Sequence, residues 1–251
     1  GGHDKIVRVW QPNHHPRKFR GAQHSIRSVT IFEAERPGER SLVIAGAWDN
    51  FVYIWDFLTA QLVMKLEGHS NRVKTVCASS SLCPIPFVLS GGDDRTVRLW
   101  SLYTGEPIYV SRLHRTPVSC STITQFDRES PVMATGSRGG GIIVFNLRGR
   151  TIDDSAVILS QNERSWDPTS MAFSQPPAGE SRSGVRILLA AGCSDMCLRL
   201  WDCLHGTLCH VLGGHDAVII HCSFMSFKSD MMRQIGQTQG QEYRRSSSGL
   251  K

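Results

Sequence analysis

Tryptophans stand at positions 10, 55 and 100, each 45 residues from the next, and Phe145 continues the series; Trp201 follows after a further 56. Asp4, Asp49, Asp94 and Asp195 each precede their aromatic residue by six positions, and Gly139 holds that slot before Phe145. His24, His69 and His114 each stand 25 residues before the slot. A period of about 40–45 residues with fixed internal landmarks means one supersecondary unit repeated in series, each copy too small to bury its own apolar faces. Neighbouring copies must therefore stack.

The third repeat shows the unit most fully. After Gly68-His69, Val73–Cys77 alternates apolar and polar residues, the pattern of a strand with one buried face. Phe87–Ser90 is a second, more apolar strand, and Gly91-Gly92-Asp93-Asp94-Arg95 is a tight turn of residues that accept positive φ or bond their own backbone. Thr96–Trp100 is a third strand rich in β-formers. Thr104-Gly105-Glu106 turns the chain into a fourth, Pro107–Val110, at the outer edge. Extended 3.6-residue periodicity is missing, so the fold class predicted is all-β, built of four-stranded antiparallel blades.

Gly68-His69 followed by Leu99-Trp100, the pairs Trp55-Asp56 and Trp201-Asp202, and Gly214-His215 together resemble the WD-repeat β-propeller family, over residues 1 to about 227. The resemblance implies a hydrogen-bonded structural tetrad in the third repeat, His69, Ser90, Asp94 and Trp100, tying the loop that enters a blade to its central hairpin. Partial tetrads follow by position. The second repeat has His24, Asp49 and Trp55, with Ala45 at the hydroxyl slot. The fourth has His114 and Thr135, with Gly139 and Phe145 replacing Asp and Trp. The fifth has Asp195 and Trp201, with Ala191 at the hydroxyl slot and Arg164 at the histidine slot.

The expected organisation is about four complete blades plus partial blades at both ends. It comprises a partial first blade over 1–20 (third and fourth strands), repeats over 21–66 and 67–112, a degenerate repeat over 113–160, and one with an inserted loop over 161–213. The start of a further repeat at 214–227 and a disordered or aberrant tail at 228–251 complete it. The chain opens on Gly1, without an initiator methionine, and is read as a piece of a longer propeller.

No phosphate-binding loop, zinc-protease helix or nucleophile-elbow motif is present, so the reading is non-enzymatic, with no catalytic residues, cofactors, metal ligands or small-molecule substrate expected. The eight cysteines include no C-x-x-C pair and fall mostly in apolar strands, as buried reduced thiols of a cytoplasmic or nuclear protein would. The net charge of +6 is scattered along the chain and not gathered in a stripe, and no apolar run is long enough to cross a bilayer. RNA is thus the weaker partner class; other proteins or peptides are the stronger. The resemblance implies that partners use the rim of the central channel, which places Trp48, Arg27, Arg72, Asp93 and Arg138 on a candidate partner-binding face. His3 and Ser194 hold the same position as Trp48 in their repeats. The function expected is a protein–protein interaction scaffold of an intracellular multiprotein complex. Alternatives are a component of an RNA-processing or ribosome-related assembly, and a phosphopeptide-reading adaptor using the three arginines.

Overall fold

A computed structural model describes residues 2–12, 15–80, 83–125, 131–146, 155–160, 166–174, 187–203 and 205–224. Eighteen strands form one two-stranded and four four-stranded antiparallel sheets, with no α-helix among the described residues. Sheet I pairs β1 (Val7–Val9) with β2 (Arg17–Phe19). Sheet II is β3 (Ile26–Phe32), β4 (Leu42–Ala47), β5 (Val52–Asp56) and β6 (Leu62–Leu66). Sheet III is β7 (Val73–Ala78), β8 (Phe87–Gly92), β9 (Val97–Ser101) and β10 (Pro107–Ser111). Sheet IV is β11 (Val118–Gln125), β12 (Pro131–Ser137), β13 (Gly141–Asn146) and β14 (Val157–Ser160). Sheet V is β15 (Pro168–Phe173), β16 (Leu188–Cys193), β17 (Leu198–Asp202) and β18 (Thr207–Leu212). Each is a meander in which sequential strands are neighbours, the arrangement of a propeller blade. The tail 228–251, the histidine-slot residue 164 and most of the inserted loop of the fifth repeat lie outside the described residues.

The first strands stand next to one another, β3 against β7, β7 against β11 and β11 against β15, so the sheets follow each other sideways as an arc that does not close among the described residues. The core is divided accordingly, one apolar cluster per interface. Strand alternation does this: within sheet II, Val43, Ala45, Tyr53 and Trp55 face Val7 and Phe19 of sheet I. Leu42, Ile44, Val52 and Ile54 face Val73, Val88 and Trp100 of sheet III. Leu89 and Leu99 of sheet III meet Met133, Ile143 and Phe145 of sheet IV, and Ile142 and Val144 of sheet IV meet Leu189 and Trp201 of sheet V. Each repeat aromatic therefore inserts toward the preceding blade. Trp55, Trp100 and Trp201 are at most 2% exposed, whereas Trp10, just past the end of β1, is 72% exposed. Most of the exposed apolar residues within strands, such as Leu62, Ile108, Ile158 and Val211, lie on the fourth strands, the outer edges of the sheets.

A glycine three residues before each turn slot sets how close the blades come. A Cβ on Gly46, Gly91 or Gly136 would lie 2.5–2.8 Å from a side chain of the next first strand, Val73, Val118 or Pro168 respectively, and one on Gly192 would lie 2.5 Å from Ile219, in the segment after β18. Ile219 thus sits against sheet V as Val118 sits against sheet III. Cys222 N–H donates to Ser170 Oγ at 3.1 Å just as Val76 N–H donates to Ser28 Oγ at 3.1 Å. The residue after each turn slot, Lys5, Asn50, Arg95, Gly140 and Met196, has φ between 64° and 74°, so the turn takes the same left-handed conformation at all five slots.

Candidate interaction face

In sheet III the tetrad residues meet at hydrogen-bond distance. Trp100 Nε1 donates to Ser90 Oγ at 2.8 Å, Ser90 Oγ lies 2.8 Å from His69 Nε2, and His69 Nδ1 lies 2.8 Å from Asp94 Oδ2. The indole is a donor only, so it sets the direction of the chain: Ser90 accepts from Trp100 and donates to His69, whose Nδ1–H donates to the carboxylate. Asp94 also accepts the Ser70 and Thr96 N–H groups and the Thr96 hydroxyl. Burial raises its carboxyl pKa, but the hydrogen bond and charge interaction with His69 and the bonds from Thr96 outweigh burial and hold it at about 2.

Sheet II corrects the placement of His24. Ile26 pairs with Ala47 in sheet II where Val73 pairs with Gly92 in sheet III, so the first hairpin of sheet II is two residues longer. Counting back 25 residues from Asp49 therefore stops two residues short of the register, and Ala22 takes the place of His69. His24 is exposed and its Nδ1 accepts only the adjacent Ser25 N–H at 2.9 Å. With alanine at both slots, Ala22 and Ala45, the Trp55 N–H turns to the Arg20 carbonyl at 2.7 Å. Asp49 accepts the Gln23 N–H at 3.0 Å and the Tyr53 hydroxyl at 2.9 Å.

Tyr53 reveals a substitution rule that spacing to the histidine conceals. The residue two before the tryptophan, on the third strand, supplies the partner of the turn acid wherever histidine does not. Tyr53 bonds Asp49, Arg8 bonds Asp4, and Arg199 holds Asp195 through two nitrogens at 2.9 and 2.6 Å. In sheet III, where His69 takes Asp94, the equivalent Arg98 stacks over Trp100 at 5.7 Å. Arg199 also covers Trp166 at 4.3 Å, and Trp166 packs against Trp201 at 6.0 Å. The readable signal is D-x-x-x-[R/Y]-x-W. In sheet IV His114 Nε2 meets Thr135 Oγ1 at 2.7 Å, while Gly139 and Phe145 supply neither acid nor indole.

The residue before each turn slot donates its N–H to the residue just before the first strand. Trp48 reaches Ser25, Asp93 reaches Arg72, Arg138 reaches Pro117 and Ser194 reaches Asp167, at 2.9–3.1 Å. All four sheets thus present these two positions side by side on the face of the turns. By this register the equivalent of Arg72 is Ser25, and that of Arg27 is Lys74, so Arg27 and Arg72 do not occupy the matching positions that equal spacing from His24 and His69 implies.

Trp48 gathers its neighbours from three sheets' worth of chain. The Arg72 guanidinium of sheet III lies 4.7 Å above its ring, His3 of sheet I meets it edge-on at 5.8 Å, and His24 lies at 6.0 Å. Its ring is partly buried, and its Nε1–H is enclosed with no hydrogen-bond acceptor among the described residues. His3 is itself held by Ser25 Oγ at 3.0 Å. Asp93 pairs with Lys74 at 2.9 Å. Arg27 and Arg138 are exposed, and the three arginines are distributed over sheets II, III and IV. The eight cysteines are free thiols, Cys193 and Cys197 facing each other across a hairpin. No group of three or more metal-ligating side chains occurs among the described residues, and no helix there is long and apolar enough to cross a membrane.

Residues 60–101, which hold the complete tetrad of sheet III, match the family model of the WD domain, G-beta repeat. The chain is 26% identical over 219 residues to the nuclear distribution protein PAC1 of Arthroderma otae, a match covering 85% of this chain and 39% of that protein. It is 31% identical over 97 residues to a probable coatomer subunit beta' of Schizosaccharomyces pombe, 39% of this chain and 12% of that one. It is 39% identical over 69 residues to the small ribosomal subunit protein RACK1y of Oryza sativa subsp. japonica, 27% and 19% of the respective chains. The chain thus spans about two fifths of the length of its PAC1 relative.

Proposed function

We propose that this WD-repeat chain is a non-catalytic interaction scaffold that receives a protein or peptide on the face of its turns, as part of an intracellular multiprotein complex. The observation that carries this reading is Trp48. Its indole N–H is buried without an acceptor among the described residues, which leaves about 1–3 kcal/mol of hydrogen bonding unmade, a cost that docking would remove where a partner displaces Arg72 or His3 from the ring and brings a carbonyl or carboxylate to it. Tryptophan and arginine are the side chains that most often dominate protein interfaces, and here Arg72 lies on the Trp48 ring. The names of similar proteins agree in kind, since a coatomer subunit and a ribosomal subunit protein are members of assemblies.

The test is affinity capture with the parent protein, wild type against Trp48→Ala, each with and without nuclease. Loss of partners on Trp48→Ala with an unchanged melting profile supports the reading. Partners retained by Trp48→Ala mean that the indole only packs between blades, and partners lost to nuclease alone favour an RNA-dependent assembly.

A further inference from the structure

Asp94 fills a socket of fixed donors in sheet III: His69 Nδ1 at 2.8 Å, the Ser70 N–H at 3.1 Å, and the Thr96 N–H and hydroxyl at 3.1 and 2.9 Å. Sheet IV keeps walls of that socket and lacks its occupant. Its strands pair in the same register, Gly136 opposite Ile142 as Gly91 is opposite Val97. His114 reaches Thr135 through Nε2 at 2.7 Å as His69 reaches Ser90 at 2.8 Å. Gly139, in the place of Asp94, has no side chain. A cavity of about 20 Å³ remains, lined by His114, Arg115, Thr116, Ser137 and Arg138 among others. That volume admits one water-sized atom, which is the size of a carboxylate oxygen.

The walls are set for an anion. His114 is 5% exposed, and its Nδ1 has no hydrogen-bond partner among the described residues. Phe145 brings no indole N–H to Thr135, and a Thr135 hydroxyl that donates to Nε2, as Ser90 donates to His69, puts the ring proton on Nδ1. Burial pushes the ring down to about 4, so it is neutral near pH 7 and acts as a donor without a charge of its own. The Arg115 N–H stands where the Ser70 N–H serves Asp94. The exposed Arg115 and Arg138 side chains make no ion pair among the described residues. The acid at the turn, Asp167 of sheet V, is engaged by the Gly139 N–H at 2.7 Å.

We infer that sheet IV is completed in trans: a carboxylate of another chain, from an acidic side chain or a C-terminus, places one oxygen between His114 Nδ1 and the Arg115 N–H, with Arg115 and Arg138 balancing its charge. Ser137 narrows the entrance, because it replaces Gly92, whose added Cβ would lie 3.2 Å from the Asp94 carboxylate. The inference rests on the interaction reading only for where the carboxylate comes from; the socket itself is tested by a free ion.

Ring ¹⁵N signals of His114 in the whole chain are followed during titration with sodium acetate, against sodium chloride at equal ionic strength. Parallel titrations use acetyl-Gly-Glu-Gly-amide and acetyl-Gly-Gly-Gly with a free C-terminus. A saturable shift with acetate, absent with chloride and reaching half-saturation at severalfold lower concentration in Ser137→Gly, is the expected result. The peptide that saturates first identifies the source. A His114 signal that does not move, or that drifts alike with acetate and chloride in both wild type and Ser137→Gly, overturns the inference. Trp48→Ala leaves the acetate titration unchanged, so failure of the scaffold reading and failure of the socket are separate results.

Discussion

Replacing Ser90 by alanine removes one oxygen and unpairs two buried groups at once. Ser90 is 0% and Trp100 1% exposed, so water does not replace the lost partner. The Trp100 N–H loses its acceptor at 2.8 Å, and His69 Nε2 loses its donor at 2.8 Å. Each of the two stranded groups costs about 1–3 kcal/mol, so Ser90→Ala is expected to destabilise sheet III by about 2–6 kcal/mol. At about 2–4 °C per kcal/mol for a domain of this size, that corresponds to a melting point lower by at least roughly 4 °C. Thr135→Val in sheet IV is the internal control. Phe145 has no N–H, so only His114 Nε2 is stranded, and the expected loss is about half as large.

The double variant His69→Ala/Ser90→Ala reproduces the pair that sheet II already carries, Ala22 and Ala45. It should cost less than the sum of the two single changes by about 1 kcal/mol or more, because the histidine no longer presents an unpaired nitrogen. Thermal unfolding measures the totals, and exchange of the Trp100 indole proton measures the local effect. A Ser90→Ala protein that melts within 1 °C of wild type, with its Trp100 indole proton still protected, refutes the reasoning that the hydroxyl links these groups.

Two further outcomes follow from other parts of the fold. Gly91→Ala puts a Cβ 2.5 Å from Val118 Cγ1, and the stiff β-branched Val118 has little room to yield, so a loss of about 1–3 kcal/mol is expected by thermal unfolding, with partial rescue by Val118→Ala. If the double variant is no more stable than Gly91→Ala alone, contact between sheets III and IV at this glycine is not what limits their approach. Asp94 gives sheet III a pH dependence of definite sign: its folded pKa of about 2 lies below the ordinary 3.8, so its contribution is present above pH 4 and lost as pH falls toward 2. Amide protection in sheet III should fall over that interval and fall less in Asp94→Asn; equal pH profiles for the two proteins contradict the assignment.

What the sequence determined alone was the repeat. A tryptophan every 45 residues with an acid six places before it is a local pattern, because turn and third strand are contiguous and their geometry does not depend on the loops elsewhere. The strands, the hairpin turns and the members of the sheet III tetrad were legible for that reason. His24 was misplaced because the distance from histidine slot to turn slot runs across the hairpin between the first two strands, and that hairpin changes length from sheet to sheet: the paired residues are 21 apart at Ile26 and Ala47 but 19 apart at Val73 and Gly92. The substitution of Tyr53, Arg8 and Arg199 for the missing histidine has a spacing that can be read, but its meaning appears only once side chains on adjacent strands are brought together. The tertiary structure decided the rest. Which apolar face of each strand meets which neighbour, why a glycine recurs at the closest approach of blades, and how Trp48 comes to lie between His3 and Arg72 all depend on residues from different repeats. A repeat pattern specifies the unit; the contacts between units are fixed only when the sheets stack.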